Sequence, residues 1–88
     1  MEIPIYQNIR EDLELIETFL WDPEKGAPDI DLHLERMCKS ASKLKFKFEI
    51  IKIKEKILAI NSHSRLRCRL SLRCDGQSHL TTAPLSLI

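Results

Sequence analysis

Glycine is scarce in this chain of 88 residues, which also has only four prolines, three cysteines and five aromatic residues. Two glycines and four prolines exclude collagen-like and low-complexity linker sequences. No apolar run approaches the roughly 18 residues of a membrane-spanning helix, and the first residues lack the features of a signal peptide. The 14 basic and 13 acidic residues give a net charge of +1, too little for a strong field toward nucleic acid or membrane. We therefore expect a cytoplasmic protein with neither a nucleic-acid nor a membrane partner.

The three cysteines form neither a disulfide framework nor a metal-binding pattern. Cys38, Cys68 and Cys74 include no Cys-x-x-Cys pair, and the three histidines lie at unrelated intervals. A structural zinc site needs four ligands at suitable spacing, so no metal is expected. Free cysteines in apolar segments behave as small hydrophobic residues. We expect their thiols to be buried or half-buried.

The hydrophobic pattern predicts a lead-in at residues 1–12 and one small α+β domain at 13–88. Apolar and polar residues alternate over 13–21 and again over 65–74, which favours strands. A loop with two prolines and a glycine follows the first strand. Asp75-Gly76 predicts a hairpin turn, after which the chain returns over 77–88 as a third strand, with Pro84 at an edge.

Apolar residues at helical spacing predict two helices between the first two strands. The first helix spans 30–44, with Asp29 or Asp31 as its N-terminal cap. The following segment is ambiguous, because part of it alternates as a strand would. We divide it into an extended connector at 46–48 and a second helix from 49 to about 60. The order β-α-α-β-β predicts a small antiparallel sheet with both helices on one face.

The second predicted strand separates two kinds of side chain. Its odd-numbered positions carry a serine and four arginines: Arg65, Arg67, Arg69 and Arg73. A solvent-exposed face is the simplest interpretation. Anion recognition is the functional alternative, because a guanidinium fork binds carboxylate or phosphate through two hydrogen bonds. No nucleophile has a recognisable base beside it and there is no glycine-rich phosphate loop, so residue types alone predict no catalytic residue.

Six motifs in order resemble the small N-terminal domain of the class IV pyridoxal-phosphate enzymes. The motifs are Leu15-Ile16-Glu17-Thr18, Trp21-Asp22-Pro23, the Gly26 loop, His33-Leu34-Glu35-Arg36, Ser40-Ala41 with Leu44-x-Phe46-x-Phe48, and Arg67-Cys68-Arg69-Leu70 before Asp75-Gly76. This family comprises branched-chain and D-amino-acid aminotransferases and 4-amino-4-deoxychorismate lyase. The sequence is most similar to the lyase-like branch, over nearly the whole chain.

The resemblance implies pyridoxal 5'-phosphate as cofactor and gives roles to individual residues. The family's phosphate-binding arginine corresponds to Arg36, and His33 corresponds to a packing and orienting position. Thr18 and Arg69 match positions that border the substrate, an amino-acid-like or chorismate-derived molecule. An arginine at position 69 would bind a carboxylate of that substrate.

The resemblance also implies that catalysis requires a second domain. The family's catalytic lysine, which binds the cofactor covalently, lies in a large domain downstream, and no lysine of this chain has the matching context. The family's Phe-Pro-Phe-Asp is replaced here by Phe46-Lys47-Phe48-Glu49. We expect a truncated product, an excised domain or half of a split enzyme.

Two kinds of partner are expected for such a domain. One is a separate lysine-bearing domain. The other is a second copy of the chain, which would associate through the first strand and the sheet face opposite the helices. The alternative function is a non-catalytic module that binds itself or a partner.

Overall fold

The structure, a computed structural model, describes residues 13–85. Its elements, in chain order, are β1 (Glu14–Trp21), α1 (Ile30–Leu44), α2 (Ile50–Leu58), β2 (Leu66–Arg73) and β3 (Ser78–Pro84). The strands form one antiparallel sheet in the order β1-β2-β3. The predicted α+β fold and its β-α-α-β-β order are confirmed. The predicted lead-in at 1–12 and the end of the predicted third strand, 86–88, lie outside the described residues.

Alternation along β2 places its apolar side chains against the helices. Leu66, Cys68, Leu70 and Leu72 are at most 8% exposed, as the two-residue period of a strand requires. They share one hydrophobic core with residues of β1, both helices and the connector, namely Phe19, Leu34, Met37, Ala41, Phe46, Ile53 and Ile57. Both helices contribute buried side chains to this one core, so both lie on the same face of the sheet, α1 against β1 and α2 against β3, as predicted.

The other face of the sheet, which we call the open face, carries no helix within residues 13–85. Its side chains belong to the alternate positions of the three strands: Glu14, Ile16, Thr18, Leu20, Arg67, Arg69, Ser71, Arg73, His79, Thr81 and Ala83. Ile16 and Leu20 are 47% and 55% exposed. The open face is therefore partly apolar and rich in arginine.

The end of α1 directs the chain into the extended connector. Lys45 has a left-handed backbone with φ 60°. Its N–H donates to the carbonyl of Ser42, and the N–H of Phe46 donates to that of Ala41, which is the Schellman arrangement. A non-glycine residue in this conformation costs about 1–2 kcal/mol. Phe46 is only 6% exposed, so burial of its ring offsets that cost.

Three local predictions require correction. Asp29 is the N-cap residue of α1, but its side chain makes no capping hydrogen bond, because its ψ of 17° departs from the extended backbone of a typical cap. The second helix spans Ile50–Leu58 and is shorter than predicted. Cys38 is exposed, because it lies about 100° around the helix from the buried Met37. The expectation of buried or half-buried thiols is confirmed for the other two cysteines.

Candidate functional site

Glu17 is a polar residue of β1 that points toward the helices. Its Oε1 accepts a hydrogen bond from Nη2 of Arg36 at 2.8 Å and lies 2.6 Å from Nδ1 of His33. His33 and Arg36 are three residues apart on α1, so they lie on one side of the helix and reach the same carboxylate. The ring of His33 also packs against Phe19, with centroids 5.9 Å apart. We call Glu17, His33 and Arg36 the Arg36 cluster.

The Glu17 carboxyl group is ionised in this cluster. Burial acts to raise the pKa of Glu17, but hydrogen bonds from Arg36 and His33 and the charges of these residues outweigh it, and the pKa lies below its usual value of 4.5. An ionised carboxylate only accepts hydrogen bonds, so Nδ1 of His33 carries a hydrogen and donates to Glu17. Nδ1 also lies 3.1 Å from Nη2 of Arg36. Both nitrogens are then donors, and both donate to the carboxylate rather than to each other.

Arg36 retains most of its hydrogen-bond donors. Glu17 engages only Nη2, and the Arg36 side chain is 58% exposed, against 16% for that of Glu17. A guanidinium has five N–H donors, and residues 13–85 provide no acceptor to Nε or Nη1. Glu17 therefore holds one nitrogen of Arg36 in place and leaves donors that can bind a phosphate or carboxylate oxygen.

Thr18 and Arg69 lie together on the open face. They are directly opposite each other in the pairing of β1 with β2, so their Cβ atoms are about 4.5–5.5 Å apart. Thr81 of β3 lies opposite Arg69 on its other side. A guanidinium flanked by two hydroxyl groups offers a carboxylate several hydrogen-bond donors at once.

Arg36 does not share a face of the sheet with Thr18 and Arg69. Glu17 and Thr18 are consecutive residues of β1, so their side chains point to opposite faces. The Arg36 cluster lies on the helix side of β1, which is an edge strand, whereas Arg69 lies one strand further in. A ligand that contacts both Arg36 and Arg69 must therefore pass around the edge of β1.

The rest of the open face is positively charged and has a buried hydroxyl near its centre. Arg67 and Arg73 lie on the same side of β2 as Arg69. Glu14, opposite Arg73, is the only acidic residue of the open face in the described strands. Ser71 is 3% exposed, and its hydroxyl makes no hydrogen bond within residues 13–85. This surface attracts anions most strongly near Arg67 and Arg69, away from Glu14.

Arg65 precedes β2 and belongs to a loop contact instead. Its Nε donates to Oδ2 of Asp22 at 3.2 Å. Backbone N–H groups of Glu24 and Lys25 donate to Oδ1 of Asp22, and these bonds, with Arg65, hold the pKa of Asp22 below its usual range. The Asp-Pro motif thus closes the loop after β1, and Arg65 stabilises it.

Other features of residues 13–85 do not coincide with the predicted site residues. A cleft of about 330 Å³ between α2 and the β2–β3 turn is lined by Lys52, Lys56 and His79 among others.

No group of three or more His, Cys, Asp or Glu side chains within residues 13–85 could hold a metal ion. No helix in it is both long and apolar enough to cross a bilayer. Burial raises the pKa of the Cys68 thiol, which keeps it neutral and unreactive.

Glu17 is the site residue that the sequence reasoning missed. The resemblance includes it in a motif but gives it no role. The pattern of β1 contained a signal, because Glu17 lies between Leu15 and Phe19 at the inward-facing positions of the strand. A carboxylate at such a position needs a hydrogen-bonding partner.

Comparison with known proteins shows one informative similarity. The chain is similar to a candidate amino-acid aminotransferase from Mesorhizobium loti, known from a crystal structure at 2.30 Å resolution, with a TM-score of 0.78 and 30% sequence identity. The similar region covers 85% of this chain and 37% of that structure, so the chain spans little more than a third of its length. No protein-family model matches the chain, and no curated protein matches it. The likeness in fold and sequence supports the relationship to aminotransferases that the motifs indicate.

Proposed function

We propose that this chain is the small domain of a pyridoxal-phosphate-dependent class IV enzyme, of the amino-acid aminotransferase or 4-amino-4-deoxychorismate lyase type. The observation that carries the proposal is the similarity in fold and sequence to the Mesorhizobium loti protein. The Arg36 cluster and the arginines of the open face add hydrogen-bond donors that can bind a phosphate or a carboxylate. The lysine and the rest of the cofactor site come from another domain.

Arg36 binds the cofactor phosphate in this proposal. A dianionic phosphate has three acceptor oxygens, and a guanidinium with free Nε and Nη1 donors fits it better than a point charge does. Glu17 and His33 restrict the orientation of Arg36, which lowers the conformational entropy lost on binding. When bound, pyridoxal phosphate supplies an electron sink for carbanion chemistry next to an amino group.

Thr18 and Arg69 contact the substrate. Arg69 binds a carboxylate of an amino-acid-like or chorismate-derived molecule, and the Thr18 hydroxyl can add a hydrogen bond. Since Glu17 and Thr18 are consecutive, the phosphate site and the substrate site lie on either side of one edge strand. A second domain that covers this edge and the open face would exclude water from both sites.

The lysine that binds the cofactor is assigned to another domain, of the same protein or of a separate chain. The lysines of this chain lie in the loop after β1, on the helices and in the connector. None belongs to the open face. The chain by itself should therefore form no stoichiometric covalent adduct with pyridoxal phosphate that survives dialysis, and its absorbance spectrum tests this.

Equilibrium binding of the cofactor tests the role of Arg36. The chain is joined to the large domain of a class IV enzyme, which provides the lysine, and the Kd of pyridoxal phosphate is measured. Arg36→Ala removes a charge-assisted interaction of about 1.5–3 kcal/mol, so the Kd should rise about ten- to a hundredfold. Arg36→Lys keeps the charge without the fork and should recover part of this loss.

Arg73→Ala is the matched control, because Arg73 is a strand arginine that lies opposite Glu14 on the open face, whereas the Arg36 cluster lies on the helix side of β1. It should leave the cofactor Kd unchanged. An unchanged Kd in Arg36→Ala contradicts the proposal. Titration of the chain alone with inorganic phosphate, followed by NMR of the arginine Nε–H groups, gives a second result that needs no other domain. The Arg36 signal should shift, and the Arg73 signal should not.

A further inference from the structure

An exposed stripe on α2 is left uncovered by the described elements. Ile51 and Leu58 are 71% and 83% exposed and lie two helical turns apart. Lys54 and Glu55 lie between them and are also exposed. Spacings of three, four and seven residues return to the same side of a helix, so the four side chains share one face. We call them the α2 stripe.

The two charges of the α2 stripe are unpaired within residues 13–85. Lys52, on the same helix, pairs with Glu49 at 3.4 Å, and Lys56 donates to the hydroxyl of Ser78 at 2.9 Å. Lys54 and Glu55 have no such contact in the described part of the chain. They are adjacent in sequence, of opposite sign and flanked by two large apolar side chains.

The α2 stripe is complementary to itself when the helix direction is reversed. Two α2 helices can be placed antiparallel around a two-fold axis that passes between positions 54 and 55. Ile51 then faces Leu58 of the second copy, and Lys54 faces Glu55 of the second copy. Each contact occurs twice, as two-fold symmetry requires. A parallel pair would instead place Lys54 against Lys54.

We propose that the α2 stripe is a two-fold interface between two copies of this chain. This inference does not depend on the proposed function. The charge pattern argues for α2 over the open face as the place where two copies meet, because a second copy on the open face would bring arginines against arginines.

The interface is small, and its affinity is correspondingly low. Nine residues of α2 span about 13 Å. A groove of about 230 Å³ beside Leu58, which reaches Ile30 and Asp31 at the start of α1, extends the contact area. Interfaces below the standard size form weak or transient complexes, so we expect a dimer whose Kd is above about 1 µM.

Charge reversal on α2 tests the proposal through analytical ultracentrifugation of the whole chain. The parent should become increasingly dimeric as its concentration is raised to about 1 mM. Glu55→Lys or Lys54→Glu alone places like charges together twice in the interface, so each should weaken dimerisation at least about tenfold. The double variant K54E/E55K restores opposite charges across the axis and should return the Kd to within about threefold of the parent value.

Glu35→Lys is the matched control, because Glu35 is an exposed acidic residue of α1 outside the α2 stripe. It makes the same charge change as Glu55→Lys and should leave the dimer Kd unchanged. All the altered residues are exposed, and circular dichroism checks that each variant keeps the parent fold. The proposal is overturned if the parent is monomeric at about 1 mM, if the single reversals associate as the parent does, or if the double variant fails to recover dimerisation.

Discussion

The two faces of the sheet are made from alternate residues of the same three strands, yet they differ in almost every property. On the helix-covered face, Leu70 and Leu72 are completely buried. On the open face, the neighbouring Arg69 and Arg73 are exposed. A chain of this length has only one small core, so the covered face must be apolar and closely packed. The open face has no such requirement, and its residues are available for recognition.

One residue on each face departs from this division. Glu17 is a carboxylate on the covered face, and it is stabilised there by Arg36 and His33. Ser71 is a buried hydroxyl on the open face without a hydrogen bond in residues 13–85. Polar groups that are buried against the local pattern require partners.

Truncation of a core leucine should have the largest effect on stability. Leu70→Ala removes a fully buried side chain and should lower the free energy of unfolding by about 2–5 kcal/mol, a large part of the total for a domain of this size. Arg69→Ala, one residue away on the open face, is the control and should change it by less than about 0.5 kcal/mol. Urea unfolding measures both. Equal losses of stability in the two variants would mean that the open face contributes as much to the free energy of unfolding as the covered face does.

Alanine at a glycine with positive φ should have an intermediate effect that depends on its surroundings. Gly76 has φ 93°, and an added Cβ would lie 3.0 Å from the Cβ of Lys47. Gly76→Ala should destabilise the fold by about 1–3 kcal/mol. Gly26 has φ 69° and nothing within 4 Å of an added Cβ, so Gly26→Ala should cost only about 1 kcal/mol. Thermal unfolding ranks the two, and a larger loss for Gly26→Ala would contradict this account of the β2–β3 turn.

Neutralisation of Glu17 should have the smallest effect, and this effect depends on pH. Because the pKa of Glu17 is lowered in the folded state, the unfolded state binds more protons as the pH falls below about 4.5, and folding stability decreases. The stability that ionised Glu17 contributes is fully present above that pH. The difference in the free energy of unfolding between the parent and Glu17→Gln should therefore be constant near neutral pH and shrink in acid.

Glu14→Gln provides the comparison on the opposite face of the same strand. It removes an equal charge but leaves the contacts of Glu17 with Arg36 and His33 intact. The Glu14→Gln variant should therefore still lose stability in acid as the parent does, whereas Glu17→Gln should not show that loss. Unfolding curves at a series of pH values between about 3 and 7 measure the three proteins. A profile for Glu17→Gln identical to that of the parent would show that the cluster does not stabilise the ionised carboxylate.

Most of the fold could be predicted because its signals are local. The alternation in β2 and the helical stripe of α1 depend on residues a few positions apart, and the turn at Asp75-Gly76 on two adjacent ones. The predicted cap at Asp29 and the burial of Cys38 failed because each depends on backbone angles or helix rotation that composition does not specify. The roles of Arg36, Thr18 and Arg69 were inferred from a family resemblance and stay predictions.

The sequence by itself determined the elements, their order and which side of each strand enters the core. Only the tertiary structure decided which side chains meet across elements. The pairing of β1 with β2 sets Thr18 opposite Arg69, and the packing of α1 on β1 brings Arg36 to Glu17. These contacts join residues 19 or more positions apart, and their geometry follows from strand register and helix placement. Both are set by burial of the whole core at once, which no local pattern contains.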